Sequence, residues 1–121
     1  MKIETIMKNG ISVAVISGQE LLIKDVGTAL DLMAQVKFET ESSRLVVQKE
    51  AITEDFFRLS TCLAGEILQK YVNYGVKMAV IGDFSVYTSK PLKDFIYESN
   101  RGSDFCFVPD LQKGIEKLAS M

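Results

Sequence analysis

Glu50, Glu54 and Asp55 bring three carboxylates into one short stretch, and Asp83 supplies a fourth further along the chain. Two carboxylates can work as a general acid/base pair, and several oxygen ligands can hold a hard cation. The spacing lacks the alternating Asp/Asn pattern of a cation loop, so solvated loop charges or a local cap at Thr53 are the simpler account. Hydroxyls follow at Ser60 and Thr61. At a helix start they would cap free N–H groups, or carry a phosphate held by those groups and the helix dipole. A second polar run, Asp83–Phe84–Ser85 with Tyr87, Thr88, Ser89 and Lys90, offers hydroxyls and a lysine beside another helix start, where a small anion could bind. Turn and capping chemistry selects the same residue types. Phe56 and Phe57 are adjacent and so face different ways in regular structure. One can enter the core. The other either presents an aromatic to a contact surface or joins a satellite cluster under the loop.

What is missing narrows the chemistry. The 121 residues include no histidine, which removes Ser–His–Asp and Cys–His catalysis and imidazole metal ligation. There is no Cys-x-x-Cys, no Gly-x-Gly-x-x-Gly and no Gly-Lys-Ser/Thr phosphate loop. Cys62 and Cys106 lie far apart and read as reduced, buried thiols. A net charge of −2 gives no basic field for nucleic acid or an anionic membrane. No apolar run approaches the ~20 residues of a membrane span, and Met1–Lys2–Ile3–Glu4 does not read as a signal peptide.

The elements that position these residues are legible from period and punctuation. Ile3–Met7 and Ile11–Ser17 flank Asn9-Gly10, the strongest short-range hairpin signal. Asp25 then caps a helix whose Val26, Ala29, Leu30, Met33 and Val36 share one face. The strand Leu45–Val47 opens into the polar loop Gln48–Arg58. A helix from about Ser60 to Tyr74 follows, with Leu63, Ala64, Ile67, Leu68, Tyr71 and Val72 inward. Gly75 stops that helix and the strand Val76–Ile81 follows, completing a βαβ crossover. The loop is longer than such a crossover needs and emerges where open α/β sheets bind ligands. Pro91 opens a helix burying Leu92, Phe95 and Ile96. Phe105–Val108 is a last strand, and Pro109–Asp110 start a terminal helix with Leu111, Ile115, Leu118 and Ala119 inward. The expectation is one α/β domain over residues 1–121. It has an opening β-hairpin, then alternating α and β elements, in a mixed five-stranded sheet with four helices. Ile11–Ser17, Leu45–Val47 and Val76–Ile81 are its central strands.

This order resembles the STAS domain, the fold of bacterial anti-sigma-factor antagonists and of sulfate-transporter tails. The phrases Lys49–Phe57, Leu63–Lys70, Gly82–Ser85, Tyr87–Lys90 and Leu92–Asn100 resemble, over almost the whole chain, an uncharacterised bacterial domain-of-unknown-function family, number 4180. That family carries no known activity. In the antagonists an Asp-Ser-Ser-Gly-Leu-Gly run starts the corresponding helix and holds a phosphorylated serine. Here Leu59–Ser60–Thr61–Cys62–Leu63–Ala64–Gly65 stands in its place. The acceptor position falls on Thr61 or Cys62, and the acidic residue in front is replaced by Arg58 and Leu59.

The leading expectation is a non-catalytic, cytoplasmic regulatory or protein-interaction domain without cofactor or metal. It would act through Glu50, Thr53, Glu54, Asp55, Phe56, Phe57, Ser60 and Thr61, with Ser60 or Thr61 as a phosphoswitch. The alternative is a small-molecule or anion-binding module using Asp83, Ser85, Thr88, Ser89 and Lys90. A third reading is a carboxylate- or metal-dependent enzyme. The expected partner is a protein, with no nucleic acid or membrane, and the chain is expected to form a two-fold homodimer through Ile3–Met7 or the Phe56–Phe57 loop.

Overall fold

A computed structural model describes residues 1–121. Strands β1 (Lys2–Lys8) and β2 (Ile11–Ser17) form the hairpin, with Asn9 at φ 54° and Gly10 at φ 79° supplying the left-handed turn. Helix α1 (Val26–Thr40), strand β3 (Arg44–Gln48), helix α2 (Leu63–Asn73), strand β4 (Lys77–Ile81), helix α3 (Lys90–Arg101), strand β5 (Phe105–Val108) and helix α4 (Leu111–Ala119) follow. The sheet runs β1-β2-β3-β4-β5, antiparallel at the hairpin and parallel thereafter. It is the expected mixed α/β sheet, with the three predicted strands inside. No helix is long and apolar enough to cross a membrane.

The progressive strand order dictates the layers. Each parallel step moves one place in the same direction, so right-handed crossovers put α1, α2 and α3 on one face. The main core lies there, between Ala14, Leu45, Val47, Met78, Val80 and Phe105 of the strands and Ala29, Leu32, Val36, Ile67, Tyr71 and Leu92 of the helices. The opposite face falls to α4 alone, through Leu118 over Val13, Val46, Ala79 and Cys106. α4 lies against the sheet at Gly114, where even a Cβ would be in van der Waals contact, 3.4 Å from Ile81 and 3.5 Å from Ala79 side-chain carbons. Arg44 ties down the end of α4, its Nε donating to Leu118 O and its Nη2 to Met121 O, each at 2.9 Å.

Several inward assignments change. Leu32 is buried on α1, whereas Leu30 and Met33 are only partly covered. Val72 and Leu111 are exposed because their helices present a narrower stripe than the longer spacing implied. Cys106 is a core thiol, but Cys62 is exposed.

Candidate functional site

The polar loop after β3 is folded, not slack. It makes 3-10 turns at Lys49–Ala51, Glu54–Phe57 and Leu59–Thr61. Its backbone is bonded to the segment before α1. Leu22 and Ile23 N–H groups donate to Ala51 O at 2.8 and 2.9 Å, and Thr53 N–H donates to Ile23 O at 2.8 Å. Thr53 is the N-cap of the middle turn, with Asp55 N–H donating to its side chain at 3.4 Å.

That turn buries both aromatics. Phe56 is 0% and Phe57 3% exposed, which corrects the idea that one of them forms an exposed contact surface. A 3-10 turn rotates successive residues by about 120°, so both rings can enter one apolar space, which an extended strand would forbid. Phe56 packs toward Phe107 and Phe57 stacks on Tyr87, with ring centroids 6.3 and 5.1 Å apart.

The stacked Tyr87 joins the two predicted loops. Its hydroxyl donates to the Glu54 carboxylate, with oxygens at 3.1 and 3.0 Å. Lys49 completes the junction: its Nζ lies 3.7 Å from Glu54 Oε1 and 5.1 Å from the Tyr87 ring centroid. Only 16% of the Lys49 side chain is exposed. Gly82 makes room for it, because a Cβ there would lie 2.8 Å from Lys49 Cβ. Burial opposes the charge on Lys49, yet the Tyr87 hydroxyl and the Glu54 and Glu50 carboxylates hold its ammonium above the usual range. Burial likewise raises the Tyr87 phenol, aided by Glu54 and opposed by Lys49. Both groups keep their protons at neutral pH, so neither is a base matched to that pH.

The remaining carboxylates disperse. Asp55 faces Arg58 at 3.6 Å, and Asp83 accepts from the Ser85 N–H and hydroxyl at 2.9 and 2.6 Å, which hold it below the usual carboxylate range. Glu50 is exposed. No three Asp, Glu or Cys side chains converge as a metal site would require, so the sequence proximity of Glu50, Glu54 and Asp55 does not become a ligand set.

The helix start also changes. α2 begins at Leu63, after Cys62 in the left-handed region at φ 65° with no side-chain cap. Ser60 and Thr61 belong to the separate turn before it and not to the first turn of α2. The Thr61 hydroxyl lies 2.7 Å from Asp55 O and 2.8 Å from Arg58 O as donor, and accepts from Leu63 N–H at 3.3 Å. Ser60 is exposed, and its hydroxyl bonds to no protein atom.

Between the loops lies an open cleft of about 460 Å³, walled by Glu54, Phe57, Arg58 and Ser60 on one side and by Tyr87, Thr88 and Ser89 on the other. Five of the predicted residues thus meet: Glu54, Phe57, Ser60, Thr88 and Ser89. Ser89 caps α3, accepting from Leu92 N–H at 3.4 Å. Asp83 and Ser85 instead form their own turn beside Phe84, away from the cleft. Lys90 points outward to Asp94 at 2.8 Å. Sequence reasoning passed over Lys49 as a site residue, and it placed Tyr87 only among the hydroxyls of the second loop, with no tie to Glu54. Lys49 had a signal, since it continues the inward alternation of Leu45 and Val47 and is therefore a lysine aimed at the helix side of the sheet.

Residues 8–118 match the family described as Domain of unknown function (DUF4180), and the chain belongs to it. No curated protein and no solved structure matches the chain. The likeness to STAS domains rests on element order and a short helix-start pattern.

Proposed function

We propose that this member of the DUF4180 family is a non-catalytic, cytoplasmic regulatory domain that recognises a partner protein at the cleft between the Gln48–Arg58 and Asp83–Ser89 loops. The observation carrying this reading is the Glu54–Tyr87–Lys49 junction, which fixes the two loops against each other and gives the cleft a standing shape. A preformed surface binds without first losing loop entropy. Arg58 and the Ser60, Thr88 and Ser89 hydroxyls give it polar edges, while Phe57 and Leu92 supply apolar ground. Such a mixture suits an extended, polar protein segment. Lys49 and Tyr87, both held in their protonated forms, serve as braces. The STAS-like element order supports the same reading.

A photocrosslinking residue at Thr88, compared with one at Gln112 on the exposed side of α4, tests it in the native cell. A discrete protein adduct at Thr88 alone is expected. Equal labelling at both positions, or adducts at Gln112 only, rejects the cleft.

A second reading has its own support, because about 460 Å³ lies within the usual size of small-molecule sites. A small polar ligand or anion would then occupy the cleft. Thermal-shift screening separates the two, since a ligand binding only the folded chain raises Tm by mass action. A hit whose shift vanishes in Arg58→Ala favours the second reading.

A further inference from the structure

We infer that the outer edge of β1 is the pairing edge of a two-fold dimer, joining two copies of this chain strand to strand in one continuous sheet. The sheet has two edges, and the fold treats them differently. At β5 the Asn100 side chain lies along the strand: its Nδ2 donates to Phe107 O at 3.1 Å, and its Oδ1 accepts from Phe107 N–H at 2.7 Å. That occupies the donor and acceptor a further strand would need at mid-edge. β1 has no such cover. The two-residue Asn9–Gly10 turn closes on the Lys8–Ile11 pair, so antiparallel alternation turns the N–H and C=O groups of Ile3, Thr5 and Met7 outward. No side chain and no other segment bonds to them. An open edge of seven residues is a template for another strand.

Charge selects both the partner and the register. Lys2, Glu4, Ile6 and Lys8 share the α4 side of β1, because they pair with Ser17, Val15, Val13 and Ile11. Three two-fold antiparallel registers keep the outward groups opposed over most of the strand. Centring on Glu4 sets that carboxylate against its own copy. Centring on Thr5 sets Lys2 against Lys8 of the second copy. Centring on Ile6 sets each Glu4 against Lys8 of the other copy, with Ile6 on Ile6 and Thr5 beside Met7. Opposite charges across strands favour pairing and like charges oppose it. Only the Ile6-centred register satisfies this, and it also covers Met7, which is 64% exposed in the single chain. Glu4 is free to take part, since its one ion-pair partner, Lys2, is itself exposed.

Sedimentation equilibrium of the full chain at high micromolar concentration tests the dimer. The expected mass is twice the 13.5 kDa of one chain. Glu4→Lys, which would face Lys8 of the second copy, should weaken association about tenfold or more, since two cross-strand pairs reverse sign. Adding Lys8→Glu to Glu4→Lys should restore it. Circular dichroism confirms that these surface variants stay folded. In a Cys62→Ser background, oxidised Ile6→Cys should form a covalent dimer and Thr5→Cys should not. A monomer throughout, a dimer indifferent to Glu4→Lys, or crosslinking at Thr5→Cys in place of Ile6→Cys overturns the inference.

Discussion

The Tyr87 hydroxyl donates to the Glu54 carboxylate, joining two loops whose residues stand 33 positions apart in the chain. Glu54 is exposed and Tyr87 half-buried, so the bond trades against water and is worth well under the value of a buried charged pair. Tyr87→Phe keeps the stacking on Phe57 and removes only this bond. The expected global loss is about 0.5–1 kcal/mol. Amide exchange should nonetheless quicken in Glu54–Thr61 and Phe84–Ser89, because the loops lose their tie. Unchanged protection in both segments would show that stacking alone holds the cleft.

Phe56 gives the sharpest contrast between a surface and a core role. Fully buried against Phe57 and Phe107, it should cost about 3–5 kcal/mol when changed to alanine. Urea unfolding measures this directly. A loss under about 1 kcal/mol would mean that the turn carrying it opens in solution.

Much of the fold was legible because local signals agreed with one another. Asn9-Gly10, the Asp25 cap, Gly75 at φ 69°, the terminal-helix start at Pro109–Asp110 and the apolar strands all stand where pattern placed them. The loop was less legible for a physical reason. Three consecutive 3-10 turns have neither the period of a helix nor that of a strand, so nothing in Lys49–Thr61 announces that Phe56 and Phe57 turn inward together. Cys62 at φ 65° was equally hidden, since a non-glycine residue in the left-handed region carries no sequence mark. The structure brings together some of the residues marked in the sequence and disperses others. Ser60, Thr88 and Ser89 do converge, but Lys49 and Tyr87 act through neighbours distant in sequence.

The two cysteines should separate by reagent. Exposed Cys62 should react with a thiol-specific dye in the native protein, and buried Cys106 only after denaturation. Burial also raises the Cys106 thiol from 9.0 to about 11. A raised folded-state value contributes stability that is complete below the unfolded value and is lost as pH climbs through the folded one. Wild-type protein should therefore lose about 1–2 kcal/mol relative to Cys106→Ala between about pH 9 and about pH 11. The Tyr71 phenol, pushed up by burial, adds a loss of the same sign at still higher pH. Parallel stability curves for wild type and Cys106→Ala across this range would contradict the assignment.

Ser60 and Thr61 make the last test, because neighbouring hydroxyls should respond oppositely to the same charge. The Thr61 hydroxyl donates toward the Asp55 and Arg58 carbonyls and accepts from Leu63 N–H, stitching the loop to the start of α2. Aspartate there removes the donor and sets a carboxylate against two carbonyl oxygens, so Thr61→Asp should lose about 1–3 kcal/mol, and Thr61→Ala less than that. The Ser60 hydroxyl has no protein partner and faces the cleft beside Arg58. Ser60→Asp should leave Tm nearly unchanged, while adding negative charge where the partner is proposed to bind. If the proposed partner is released by phosphorylation, Ser60 is the expected acceptor, because a charge of about −1.5 to −2 there would meet the Arg58 guanidinium without breaking a bond. Partner crosslinking from Thr88 should fall in Ser60→Asp and persist in Ser60→Ala. Should Ser60→Asp unfold the chain, or Thr61→Asp leave Tm untouched, the roles of the two hydroxyls are reversed and the switch moves to Thr61.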